Sequence, residues 1–82
     1  MSFNRDDYRI IRASDVSGDS DGIGVEIYRG KELLIEIFRD DTKRTREITT
    51  AHNQFSLEEM EGFIQIFKAE IPWDFIEYEE QE

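Results

Sequence analysis

The sequence predicts an α+β fold: a four-stranded antiparallel sheet with one C-terminal helix across one face, in the order ββββα. Three observations predict it. Ile23–Arg29 and Leu33–Arg39 alternate apolar and polar residues with the period of a half-buried strand. Ser56 and Glu59 stand at capping-box spacing before Leu57, Met60, Phe63, Ile64, Phe67 and Ile71, which recur at helical spacing. Pro72 then ends that run, because a proline disfavours helical geometry in the residue before it.

Taken in order, residues 1–7 are expected to fray, residues 8–71 to form the core, and residues 72–82 to form an aromatic and acidic tail. Tyr8–Ser14 reads as a first strand, with arginines weakening its pattern. In the second, Ile23, Val25 and Ile27 face one way, and Glu26 and Tyr28 the other. In the third, Leu33, Ile35 and Ile37 are the expected inward set, leaving Leu34, Glu36 and Phe38 outward. The hairpin between them is read with a three-residue loop, Arg29–Lys31. That register opposes Ile27 to Leu33 and keeps like faces together, whereas a two-residue loop at Gly30-Lys31 would oppose Ile27 to Leu34. The polar segment Asp40–Arg46 is a second turn, and Glu47–His52 a fourth strand on the strength of Ile48 and two threonines. Phe55 and Met60 are placed for a hydrophobic staple at the helix entry.

A chain of 82 residues makes one domain. A domain this small buries only about 60% of the surface its unfolded form exposes. It has no cysteine, hence no disulfide and no thiolate metal site, which fits a cytoplasmic setting. Its N-terminus carries no apolar signal core, and no apolar run approaches the roughly 18 residues of a membrane span. With 20 acids against 10 bases the net charge is −10. Phosphate backbones are gripped by displacing counterions with lysine and arginine, so nucleic acid and anionic membranes are disfavoured partners. A basic protein surface is favoured. The charge is unevenly spread: residues 1–55 carry a net −2 and residues 56–82 a net −8.

The stretch Asp15–Gly22, DVSGDSDG, is the nearest approach to a chemical motif. Placing Gly22 at position 6 of an EF-hand loop puts Asp19 and Asp21 at positions 3 and 5. It also puts Ser17 at position 1 and Tyr28 where the bidentate glutamate belongs, and strands flank it instead of helices. What the spacing leaves open is a weak calcium site of another kind on Asp15, Asp19 and Asp21. A phosphate loop fails for want of a lysine and a following helix. Aspartate, serine and glycine are turn formers, and a loop joining two strands is the simplest reading. His52 is the only histidine; alone it makes neither a zinc set nor a recognisable nucleophile–base arrangement. No cofactor motif is present.

Function is therefore sought in surfaces. One helix covers one sheet face, so Tyr28, Leu34 and Phe38 on the other would stay wet unless covered by the tail, by a second subunit in a homodimer, or by another partner. Trp73 and Phe75, with Ile76 and Tyr78, concentrate large apolar groups of the kind that anchor interfaces. Glu58, Glu61 and Glu77 carry the acidic field beside them. These residues make the chain read as a non-enzymatic protein-binding module (an inhibitor, an immunity-type protein or an adaptor) that occludes a basic surface of its partner.

The run GKELLIEIF, with Gly30, Lys31, Leu34 and Ile35, followed later by Phe55, Ser56 and Leu57, resembles the single-stranded-DNA-binding transcriptional coactivator family over about residues 23–70. The Lys-Gly step that precedes the helix in that family is here Asn53-Gln54. The resemblance implies a ββββα homodimer paired through its helices. In it, bases would stack on Tyr28 and Phe38, and Arg29, Lys31, Arg39, Lys43, Arg44 and Arg46 would meet the nucleic-acid backbone.

Overall fold

The computed structural model describes residues 3–16, 21–51 and 54–77. A short 3-10 turn, Arg5–Asp7, leads into β1 (Arg9–Val16), β2 (Asp21–Arg29), β3 (Glu32–Asp40), β4 (Thr45–Thr50) and α1 (Leu57–Glu70). The strands form one antiparallel sheet in the order β1-β2-β3-β4, each beside its neighbour in sequence. Helix α1 lies on one face, where Phe63, Ile66 and Phe67, with Ile71, close over Val25, Ile27, Leu34, Ile35 and Ile37. The architecture is the ββββα arrangement expected.

The β2–β3 register differs from the expected one, and a bulge is the reason. Arg29 pairs with Glu32, so the loop is the two residues Gly30-Lys31. Gly30 has φ 63°, which supplies the positive φ of a II′ hairpin turn at its first central position. Tyr28 pairs with Leu33, and then the register shifts so that Ile27 pairs with Ile35 and Val25 with Ile37. Leu34 is the inserted residue. A bulge places two residues of one strand opposite one of the other, which lets Leu34 and Ile35, 1% and 0% exposed, both enter the core. Leu33, at 36% exposed, faces outward beside Tyr28. Leu34 is thus a core residue and Leu33 an outer one, the reverse of a strict alternation.

The helix begins as its residues require. Glu59 donates its backbone N–H to Ser56 Oγ at 3.0 Å, and Glu59 Oε1 accepts the Ser56 N–H at 3.0 Å. Ile71 takes φ −120° and ψ 127°, the extended geometry that a following proline imposes. Residues 3–7, expected to fray, are tied to the helix. Phe3 stacks on Tyr8 with centroids 5.1 Å apart and meets Phe63 edge-on at 5.7 Å. Arg5 pairs with Glu70 at 2.7 Å. Strand β4 starts two residues before the expected Glu47, and His52 lies outside the described residues. Ile48, which pairs with Ile37 on the helix side of the sheet, is 46% exposed, so β4 is incompletely covered on that side.

Candidate binding surfaces

The basic residues of the β3–β4 hairpin are engaged within the chain. Arg39 is 2% exposed. Its Nη2 donates to Asp41 Oδ2 at 3.0 Å and its Nη1 to the Pro72 carbonyl at 2.7 Å. Its Nε lies 2.9 Å from Asp41 Oδ1, an ion pair whose angle falls short of a hydrogen bond. The same Asp41 carboxylate accepts the Ile76 N–H at 3.1 Å. Arg46 donates through Nε and Nη2 to the Trp73 carbonyl at 3.2 and 2.8 Å, and its guanidinium lies over the Trp73 and Phe75 rings at 3.7 and 4.2 Å. Arg44 reaches Glu77 at 3.3 Å, and Lys43 stands 4.0 Å from Glu47. The tail is therefore strapped to this hairpin, away from the outer sheet face. Arg29 and Lys31 sit at the other end of β3, about 30 Å away at strand rise. Arg29 pairs there with Glu59 at 3.1 Å, and Lys31 is exposed in the turn. The six cations thus occupy two ends of the sheet, with Arg39 inside.

The acidic candidates are also divided. Glu58 and Glu61 are exposed on α1, beside a depression lined with Phe3, Gly62, Ile64 and Gln65. Glu59 between them is committed: the Ser56 N–H holds its carboxyl below the usual range, burial opposes this, and Arg29 and the Tyr8 hydroxyl add to the lowering. Trp73, Phe75 and Glu77 lie beyond the opposite end of the helix, and Tyr78 lies outside the described residues.

The outer face of the sheet carries a set that no linear motif reveals. Strand pairing places Ile11, Glu26, Glu36 and Thr49 in one row across it, and Ala13, Gly24, Phe38 and Glu47 in the next. Glu26 and Glu36 are directly opposed. Asp15, Glu26, Glu36, Phe38 and Glu47 line a shallow depression of about 340 Å³. Close passage of the strands requires Gly24, since a Cβ there would run into the Ile37 carbonyl. Tyr28 donates its hydroxyl to Glu26 at 3.0 Å, and that bond leads the causes that raise the phenol above its ordinary pKa. The Arg9 guanidinium covers the Tyr28 ring at 4.6 Å. The face is mixed in character, with aromatic rings among carboxylates. Sequence reading placed Tyr28, Phe38, Glu26 and Glu36 here. It missed Asp15 and Glu47, whose positions follow only from pairing with β2 and β3.

Among the described residues no three potential metal ligands converge. Asp15 and Asp21 lie on paired strands, and Asp19 lies outside the described residues. Among the described residues, too, no helix is long and apolar enough to cross a membrane. Comparison with protein-family models, curated proteins and solved structures finds no match.

Proposed function

We propose that this chain is a small acidic, non-enzymatic protein-binding module of the inhibitor, immunity-type or adaptor kind, which occludes a basic surface of a protein partner. One observation carries the reading: two glutamates face each other across β2 and β3 on the face away from the helix. Like charges directly opposed on a sheet are destabilising, and a cationic partner relieves that repulsion on docking. The overall charge of −10 steers such a partner. Glu58 and Glu61 add to the overall field from the helix side, while Phe38 offers apolar area beside the central glutamates, the Tyr28 ring being covered by Arg9. The role of Trp73 and Phe75 becomes secondary, since their own arginines cover part of each ring. A cytoplasmic setting fits a chain without cysteine.

The test is capture on immobilised chain, with mass spectrometry of what is retained. The expected catch is a basic protein that elutes with moderate salt and is lost with E26K/E36K. Capture insensitive to both would remove the electrostatic mechanism. A mobility shift with a single-stranded oligonucleotide, abolished by R44A/R46A, would favour the nucleic-acid reading instead. Sedimentation velocity of the chain alone tests the homodimer.

A further inference from the structure

Strands β2 and β3 carry the same short pattern, Glu-Ile-aromatic-Arg, at Glu26–Arg29 and Glu36–Arg39. Each sets a glutamate and an aromatic ring two residues apart, and so on the same outer face. The first copy is filled from within the chain. Arg9, paired with Tyr28 on β1, lays its guanidinium on the Tyr28 ring, whose hydroxyl bonds Glu26. The second copy has no cation on its ring: the residue paired with Phe38 on β4 is Glu47, which accepts the Thr45 hydroxyl at 2.7 Å and stands 4.0 Å from the exposed Lys43. Among the described residues, Tyr8, Tyr28, Trp73 and Phe75 each carry a cation on the ring, whereas Phe38 has none. Phe38 instead borders the depression between Glu36 and Glu47.

We infer that this depression receives an arginine side chain of the basic partner, its guanidinium stacked on Phe38 and paired with Glu36 and Glu47. Arginine fits better than lysine, because its planar, weakly hydrated group stacks on a ring while its fork reaches carboxylates. The inference rests on the protein-binding reading and specifies its chemistry.

The full chain, labelled for NMR, is titrated with an arginine-rich peptide and with a lysine-rich peptide of equal length and charge. The expected result is shifts centred on Glu36, Phe38 and Glu47. Arginine is expected to be preferred by about two- to five-fold, the factor of a surface cation–π contact. F38L, checked for folding by circular dichroism, should bring the two peptides to parity while leaving lysine binding in place. Should F38L fail to fold, E36Q/E47Q supplies the second test, with the peptide-induced shifts lost. Equal binding of both peptides to the unaltered chain overturns the arginine inference and leaves the protein-binding reading standing. Binding of neither overturns both. Concentration-dependent shifts of these residues without peptide would assign the face to a second copy and overturn the inference.

Discussion

Asp41 is the residue on which the tail depends. It holds the guanidinium of buried Arg39 and the Ile76 N–H, while Arg39 holds the Pro72 carbonyl. Removing one partner of a buried pair leaves a charge uncompensated, at a cost of about 3–5 kcal/mol. D41A should therefore lose about that much in urea denaturation, a large share of the stability of a small domain. R39M/D41L should lose less, because it removes both charges together. Glu59 acts through proton linkage. Its folded pKa is depressed by the Ser56 N–H, aided by Arg29 and Tyr8, and that of Glu70 by Arg5. The stability they contribute is present above the unfolded carboxylate pKa and is lost as pH falls through the folded one. Thermal midpoints should thus decline from about pH 5 downward. E59Q should flatten part of that decline while keeping much of the cap, since glutamine also completes a capping box.

At the scale of the element, the bulge in β3 makes neighbouring leucines unequal. L34A empties a core position and should cost about 2–5 kcal/mol. L33A, on the partly exposed outer side, should cost well under half as much, and urea midpoints of the two variants compare them directly. Strict alternation predicts the opposite order. The sequence could not display the bulge, because Gly30-Lys31 and Arg29–Lys31 are both acceptable loops locally. What separates them is whether Leu34 finds room beneath α1. The helix was legible for the converse reason. Ser56, Glu59 and Pro72 act on backbone groups within a few residues of themselves, so their effects are written beside them. The tie of Phe3 to Gly62 and Phe63 joins segments far apart in the sequence and left no local mark.

For the whole molecule, the binding proposed for the outer face is set against stability. E26Q or E36Q should stabilise the free chain by about 0.2–1 kcal/mol by ending the cross-strand repulsion. At about 4–8 °C per kcal/mol for a domain of this size, calorimetry resolves the upper part of that range. The same variants should weaken retention of a basic partner. A variant that gains stability without losing partner binding would place the binding surface elsewhere. Of this candidate surface, Tyr28, Phe38 and the two central glutamates were legible from the period of two. Their neighbours Asp15 and Glu47 were not, because facing residues on different strands are joined only by register.

By itself the sequence determined four strands, a capped and terminated helix and an acidic field, since each arises from residues close along the chain or from composition. Only the tertiary structure decided that Leu34 is buried, that Arg39, Arg44 and Arg46 hold the tail, and that Glu26 confronts Glu36. Those outcomes depend on contacts between segments distant in sequence, where a shift of one residue in pairing exchanges the faces of a strand.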